Sequence, residues 1–212
     1  MTNYIFRICL VLVCLFTLVG CEEDPTEATI IGNTYTNKYF EFSFKIPEDW
    51  IVMDKRTTDI ALQRQMEAVA WSQGVSENTV RSAAEKTYHL LSIFEKPVDS
   101  DASLRSSITI GAVKMSPRSE SGSSSDFLVQ MIKVMRRGAI AYKPLGEVTE
   151  CFIGGRQFSK LDLSILVQSA EVHQAYVLGK VKGYALLFIF TGDSKEGVNR
   201  SVKIAKPVHF KR

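Results

Sequence analysis

Hydrophobic and polar residues alternate with a period of two along much of the chain after residue 38. Between residues 39 and 46 every second position is apolar, and the positions between them are polar or charged. This period predicts a β-strand with one buried face. Similar patterns predict extended segments at 50–52, 88–95, 107–115, 146–153, 158–165 and 171–181.

The segment 184–190, YALLFIF, is apolar at consecutive positions, so both of its faces need to be covered. Such a run predicts a central strand with helices packed on both sides of the sheet. Apolar positions at helical spacing predict helices at residues 57–73, 76–86, 125–137 and 193–205. Together these elements predict an α+β fold, an α/β/α sandwich with a mainly antiparallel central sheet.

Small and polar residues interrupt the apolar periods at three places. Gly154-Gly155 and Lys182-Gly183 are expected to form turns between adjacent strands. Residues 116–126, SPRSESGSSSD, are rich in serine and are expected to form an exposed flexible loop.

Two local features are predicted inside the elements themselves. Phe158 and Leu161 break the alternation of their strand, which predicts an irregular register near Ser159-Lys160. Asp193, with Glu196 three positions later, resembles a capping pair and predicts the start of the last helix.

The first 21 residues combine a basic start, an apolar run and a small-residue end. Arg7 precedes residues 8–19, which are apolar apart from Thr17. This run suits the core of a signal peptide and is shorter than the roughly 20 residues of a membrane-spanning helix. It ends in Leu18-Val19-Gly20-Cys21, which resembles the lipobox of bacterial lipoproteins. The resemblance implies cleavage before Cys21 and the attachment of diacylglycerol and acyl chains, such as palmitate, to that cysteine.

A plain signal peptide and an uncleaved anchor helix remain the alternatives. The polar residues 22–25, directly after Cys21, argue against the anchor helix. We therefore predict a cleaved lipoprotein signal peptide at residues 1–20, a lipidated Cys21 with a flexible tether at 21–33, and one domain at 34–212. Two or more acyl chains hold a protein durably on a bilayer, so the lipid on Cys21 is the expected membrane anchor.

Composition and charge exclude several classes of protein. Of the 212 residues, 45% are hydrophobic and 23% are charged, which is typical of a globular chain and excludes wholesale disorder. The formal net charge is +3 with both signs interspersed, so we expect no nucleic-acid partner. Of the four cysteines, only Cys151 would remain free in the mature chain, which excludes an internal disulfide.

The mature sequence carries a second resemblance. Its opening, YTNKYFEFSFKIPEDW, has an aromatic-rich strand, an Ile-Pro step and a tryptophan after an acidic turn. Three later motifs are Gly155-Arg156-Gln157-Phe158, His173-Gln174-Ala175-Tyr176 and Gly183-Tyr184-Ala185. Over residues 34–212 this pattern is similar to PsbP/Mog1-like domains, and with the lipobox it resembles bacterial lipoproteins of the DcrB type.

That resemblance implies an α/β/α sandwich and a non-enzymatic role. Such roles include help in photosystem assembly, binding of a small GTPase and chaperoning of secreted effectors. The shared motifs are aromatic and turn positions, so they carry no ligand, cofactor or partner residue over to this chain.

Groups with chemical potential are scattered along the sequence. His89, His173 and His209 lack the close spacing of metal ligands, and each is interpreted as a strand or surface histidine. Cys151 stands beside a glycine turn and is interpreted as a buried, unreactive cysteine, with His173 left open as a neighbour. We expect no catalytic residue, no cofactor and no metal site.

Two groups of residues are candidates for contact with a partner protein. Met66 and Trp71, in the helix predicted at 57–73, are the first candidates for a partner surface. Lys133 and the pair Arg136-Arg137 could bind an acidic partner, although a charged helix end is the commoner reason for such residues.

The leading hypothesis is a non-enzymatic lipoprotein of the bacterial cell envelope that binds an unidentified envelope protein or assists assembly. The alternative is a small-ligand-binding lipoprotein with an apolar pocket. An enzyme is the third class, and it would require His89 or His173 close to Cys151, or a carboxylate pair in a cleft. A homodimer formed by exchange of a terminal element is a further option. Glu22 after Cys21 favours the outer over the inner membrane if the cell is Gram-negative.

Overall fold

The structure is a computed structural model that describes residues 24–54, 56–60, 85–95, 106–136, 141–167 and 170–211. Several of the predicted features lie outside these residues, and the main ones concern the anchor and the first candidate partner surface. They are the signal peptide, the lipidation site Cys21 and the candidate partner residues Met66 and Trp71. Of the two helices predicted between 57 and 86, the structure describes only residues 56–60, which are helical, and the turn at 85–86.

The strands of the described residues form two antiparallel sheets. The small sheet has the order β1-β2-β3-β12, with β1 at Ala28–Ile31, β2 at Thr34–Asn37, β3 at Phe42–Lys45 and β12 at His209–Phe210. The large sheet consists of β4 (Trp50–Val52), β5 (Thr87–Glu95), β6 (Ser107–Lys114), β11 (Tyr184–Gly192), β10 (Ala170–Val181), β9 (Arg156–Val167) and β7 (Tyr142–Pro144), in that order. β8 (Thr149–Ile153) pairs with β9 beside β7.

Helices cover both faces of the large sheet. α1 (Pro117–Ser121) leads into α2 (Ser124–Met135), which packs on β9 and β10, and α3 (Lys195–Ala205) packs on β11 and β10 from the other side. The first core lies between the large sheet, the small sheet and α3, and its largest buried side chains are Phe40, Phe42, Phe44, Phe158, Phe188 and Phe190. The second core lies under α2 and contains Leu128, Ile132, Leu161, Leu163, Tyr176 and Leu178.

This arrangement confirms the α+β prediction and the α/β/α sandwich with a mainly antiparallel sheet. The structure adds one feature that the sequence did not predict. The small sheet lies in the same outer layer as α3. β11 lies in the middle of the large sheet, as its apolar sequence predicts. Burying each of its phenylalanines contributes about 1.5–3 kcal/mol, which gives this strand a large share of the core free energy.

The serine-rich segment 116–126 corrects one prediction, because it is helical rather than a loop. Ser116 caps α1 by accepting a hydrogen bond from the Ser119 backbone, and Pro117 supplies the fixed backbone angle that suits a first helical position. α2 then begins at Ser124, because Ser123 and Asp126 form a reciprocal capping box. A serine-rich composition is typical of loops, but in this segment Ser116 and Ser123 cap the starts of helices.

Two smaller predictions are also wrong. α3 is capped by Ser194, whose hydroxyl accepts from the Gly197 N–H at 3.2 Å, and not by Asp193. The pairing of β9 with β10 runs without a register shift through Ser159-Lys160. Phe158 and Leu161 depart from simple alternation because they point to opposite cores. The register shift lies instead in β5, between His89 and Leu91.

The tether predicted at 21–33 is too long. Residues 28–31 form β1, which pairs with β2 across a two-residue turn at Gly32-Asn33. The sequence of this short strand does not show the alternation of buried and exposed positions that predicts a strand, because three of its four side chains are exposed. The folded part of the chain therefore begins before residue 34.

The two predicted turns are confirmed, and one of them needs glycine for two reasons. Gly154 and Gly155 have φ values of +57° and +75°, which L side chains rarely adopt. A Cβ on Gly154 would lie 2.7 Å from the Phe210 ring and still closer to the Val208 carbonyl oxygen. The β8–β9 turn thus packs directly against the C-terminal segment.

Candidate functional site

A chain of polar side chains runs through β5 and β6. The His89 Nε2 atom lies 2.9 Å from Ser92 Oγ, and Ser92 Oγ lies 3.0 Å from Thr109 Oγ1. On the other side of the imidazole, Nδ1 lies 3.8 Å from the Asp59 carboxylate. The β5 register shift brings His89 and Ser92, three residues apart, onto the same face of the strand.

The order Asp59–His89–Ser92 resembles the acid–base–nucleophile order of serine hydrolases, but its setting differs. Ser92 is 1% exposed and its hydroxyl is already shared between His89 and Thr109. A nucleophile has to reach a substrate carbonyl next to donors that stabilise an oxyanion. Ser92 lies in the middle of a strand and has no such access. The chain acts as an internal hydrogen-bond network that satisfies buried polar groups.

Further polar side chains lie beside this network on neighbouring strands. Ser107 pairs with Thr191 in the β6–β11 register, and Thr191 pairs with Gln174 in the β11–β10 register. The Gln174 Nε2 atom donates to Thr191 Oγ1 at 3.1 Å. We call the resulting surface the polar strip, and it consists of Ser92, Ser107, Thr109, Gln174 and Thr191.

The polar strip lies on the same face of the large sheet as the second core. Gln174 stands two positions from both Val172 and Tyr176, which are members of that core. Its Oε1 atom is buried and accepts no hydrogen bond from the described residues. A buried amide oxygen without a hydrogen-bond donor lowers the stability of a protein by about 1–3 kcal/mol. Among the polar-strip residues, this oxygen therefore carries the largest free-energy cost.

The cysteine–histidine pair that an enzyme would need is not formed. Cys151 pairs with Phe158, whereas His173 pairs with Ser164, six residues further along β9. At about 3.3 Å per residue, the two lie roughly 20 Å apart. His89 is five strand steps away from Cys151 across the sheet, which is roughly 24 Å at about 4.8 Å per step.

Cys151 itself is half-buried rather than fully buried, and it packs against the first core. Burial has the largest effect on its thiol and raises the pKa, while Lys160 lowers this pKa and Asp162 raises it by smaller amounts. The thiol therefore stays protonated near neutral pH and is a poor nucleophile.

The remaining predicted groups are dispersed. His209 is exposed on β12, and Lys133 and Arg136 are exposed at the end of α2, while Arg137 lies outside the described residues. Within the part of the chain that the structure describes, no three His, Cys, Asp or Glu side chains converge as metal ligands would.

The N-terminal end of the domain is firmly attached to the small sheet. The Asn37 side chain, which is 0% exposed, donates a 2.9 Å hydrogen bond from Nδ2 to the Pro25 carbonyl. The same side chain accepts from the Phe40 N–H at 2.7 Å. Lys38 forms an ion pair with Glu27 and a backbone hydrogen bond to it. These contacts hold the segment from Pro25 to Lys38 against the small sheet.

Apolar side chains are exposed at the far end of β1. Ile31 is 79% exposed and Ile30 is 47% exposed, and both lie on the edge strand of the small sheet. None of the helices in the described residues is long and apolar enough to cross a membrane.

The sequence analysis missed Asn37, Ser92 and Gln174 as structurally important residues. Asn37 has a usable signal, since an asparagine at an apolar-facing position of a predicted strand needs a hydrogen-bond partner. The partners of Ser92 and Gln174 lie on strands that are distant in sequence, so no local pattern could have identified them.

No protein-family model matches the chain, and no curated protein matches its sequence. Among solved structures, it is similar to the solution structure of the cyanobacterial PsbP protein CyanoP from Synechocystis sp. PCC 6803. The TM-score is 0.51 and the identity 12%, over 92% of this chain and 99% of that one. LpqN of Mycobacterium tuberculosis, a protein involved in cell envelope biogenesis, has a TM-score of 0.45 and 12% identity over 89% of this chain and 86% of that one. At such identity the likeness to CyanoP concerns the fold alone, and the domain described here has a PsbP-like fold.

Proposed function

We propose that this chain is a lipoprotein of the bacterial cell envelope, held to the membrane by acyl chains on Cys21. Its PsbP-like domain serves as a non-enzymatic module that binds an envelope protein or assists assembly at the membrane surface. The lipobox-like sequence at residues 18–21 supports the anchor. In a Gram-negative cell, Glu22 supports delivery to the outer membrane.

The observation that carries the proposal is the attachment of the chain at Pro25. The Asn37 hydrogen bond to the Pro25 carbonyl leaves only Glu22, Glu23 and Asp24 between the lipid anchor and the folded domain. The Cα atoms of Cys21 and Pro25 are four steps apart along the chain, which is at most about 14 Å. An anchored domain with so short a connection stays at the membrane surface, which suits a protein that acts on membrane-bound partners.

The dispersed chemistry of the described residues supports a binding role over catalysis. Ser92 is enclosed by its own hydrogen-bond network, and the Cys151 thiol is about 20 Å from His173 and carries a raised pKa. A binding module needs none of these groups to react. The photosystem role of the family is not part of the proposal, since no residue carries it to this chain.

In-cell crosslinking of the full chain tests the proposal, followed by mass spectrometry of the crosslinked products. Cys21→Ser removes the lipid, and Cys151→Ser serves as the matched cysteine control. We expect one recurrent envelope-protein crosslink in the wild type and in Cys151→Ser, and its loss or strong reduction in Cys21→Ser. A crosslink pattern unaffected by Cys21→Ser, or no crosslink above background, would contradict the proposal.

The buried Gln174 Oε1 atom favours a second candidate function, the binding of a small ligand. A ligand that donates a hydrogen bond would satisfy this oxygen on the polar strip. Native mass spectrometry of the protein extracted from membranes would then show a bound small molecule. Gln174→Leu should lose it, while Gln157→Leu, an exposed glutamine on β9, should keep it. Identical spectra for both variants would rule this function out.

A further inference from the structure

The edge of the small sheet presents the most exposed apolar side chain of the described residues. Ile31 is 79% exposed, and its neighbour Ile30 is 47% exposed. Among the strands that the structure describes, β1 pairs only with β2, so its other edge has no neighbouring strand there. Natural edge strands are usually protected by charge or proline, and β1, with the sequence ATII, has neither.

Of the strands that the structure describes, β1 is the first after the proposed anchor. Asp24 is tied to its neighbours through the Thr26 N–H and hydroxyl, which donate to its carboxylate at 2.8 Å each. Pro25 is buried and held by Asn37. The Cα of Cys21 therefore lies within about 11 Å of the Cα of Asp24, and β1 begins four residues after Asp24.

This geometry restricts how the domain can face the bilayer. The connection of about 11 Å ends at Asp24, and the turn closed by the Glu27 N–H on the Asp24 carbonyl keeps the start of β1 within about 22 Å of the Cα of Cys21. β1 extends from there over four residues, a length of about 13 Å, so the whole strand can lie along the surface. Near its start Glu27 is paired with Lys38, whereas Asp24 and the connecting Glu22 and Glu23 are acidic, so the apolar contact works against their repulsion from anionic lipid.

We propose that β1 is a membrane-contact edge, with Ile30 and Ile31 inserted into the headgroup region of the bilayer that holds the lipid anchor. The inference rests on the proposed lipidation of Cys21. Transfer of these two apolar side chains from water into the bilayer lowers the free energy of the membrane-bound protein. The lipid surface is the single occupant of the edge.

Depth-dependent fluorescence quenching tests this contact in the full lipidated protein. A Cys151→Ser background receives Ile31→Cys, and this cysteine is labelled with an environment-sensitive fluorophore. The matched control carries the label at position 152, where Phe152 is 60% exposed on the opposite face of the large sheet. Both proteins are placed in phosphatidylethanolamine–phosphatidylglycerol vesicles, with and without spin-labelled lipid.

We expect a blue shift and a loss of emission on adding spin-labelled lipid for the label at position 31, and neither change at position 152. Equal signals at both positions would overturn the contact. A shift at position 31 that rises with protein concentration in vesicle-free detergent would assign the edge to a second copy, and this would also overturn it.

The design separates this inference from the proposed anchor. Failure of the protein to carry acyl chains by mass spectrometry refutes the anchor, and the contact with it. If the protein is acylated and bound to vesicles but the label at position 31 stays exposed to water, the contact is refuted and the anchor is not. Ile31→Ser in the wild-type chain adds a second readout, since we expect about tenfold faster transfer between vesicles, equivalent to about 1.4 kcal/mol. Phe152→Ser should leave the transfer rate unchanged.

Discussion

The Asn37 side chain joins the start of the domain to its small sheet, with its Nδ2 atom 2.9 Å from the carbonyl oxygen of Pro25. Its Oδ1 atom accepts from the Phe40 N–H, so one buried amide bridges two turns of the chain. This contact makes the connection between Cys21 and the domain short. It therefore links the stability of the N-terminal end to the proposed position at the membrane.

Asn37→Ala should destabilise the domain by about 1–3 kcal/mol, because it leaves a buried backbone N–H and a buried carbonyl without partners. Urea unfolding followed by circular dichroism measures this loss. Asn33→Ala is the control, since the Asn33 carbonyl rather than its side chain accepts from the Ile46 N–H. Equal midpoints for the two variants would show that the Asn37 bridge contributes nothing.

Gly154→Ala should destabilise the domain by more than about 2 kcal/mol, because a Cβ there meets both an unfavourable φ and the C-terminal segment. Thermal unfolding measures this effect. Gly146→Ala is the matched control, since no heavy atom lies within 4 Å of its Cβ position. A Gly154→Ala domain as stable as the Gly146→Ala domain would contradict the packing of the β8–β9 turn on Val208 and Phe210.

Ser92 should behave as a structural residue and not as a nucleophile. Ser92→Ala removes the bridge between His89 and Thr109, and we expect a loss of about 1–3 kcal/mol in the free energy of unfolding. Ser159→Ala, at a half-buried position on β9, provides the control for stability. A fluorophosphonate probe should leave Ser92 unlabelled in the folded protein, and specific labelling of Ser92 would instead favour a hydrolase.

Alkaline pH should destabilise the domain through Tyr35. Burial raises the pKa of Tyr35 to about 12, with a smaller opposing effect from the Asn37 hydrogen bond. Because the folded-state pKa lies above the unfolded value of about 10, the stabilisation is complete below pH 10 and is lost as the pH rises towards 12. The total loss in the free energy of unfolding is about 2–3 kcal/mol.

Urea unfolding between pH 9 and 12 measures this dependence, and Tyr35→Phe should flatten it. Burial also raises the pKa of Tyr176, so a residual slope in the same direction should remain in the variant. Identical pH profiles for the wild type and Tyr35→Phe would contradict the assignment to Tyr35.

The central part of the fold follows from the sequence because its signals are local. The alternation of Phe40, Phe42 and Phe44 predicts β3, and the apolar run of β11 predicts its central place. Gly154-Gly155 predicts its turn because two successive residues need positive φ values. In each case one short stretch of sequence contains the full physical reason.

The features that sequence analysis missed depend on distant partners. β1 has few buried side chains, and it is recognisable only through its pairing with β2. The apparent irregularity at Ser159-Lys160 arises because β9 contributes Phe158 to one core and Leu161 to the other. The polar strip consists of residues from four strands, so neither the periodicity nor a motif of the sequence predicts it.

Mass spectrometry of the N-terminal peptide tests the central claim most directly, using the full chain expressed in a bacterial host and isolated from its membranes. The account predicts a mature protein that begins at Cys21, with the mass of diacylglycerol and acyl chains on that residue. It also predicts that Cys21→Ser carries none of this mass and leaves the membrane fraction. An unmodified Cys21, or peptides from residues 1–20 retained in the membrane-bound protein, would contradict the account.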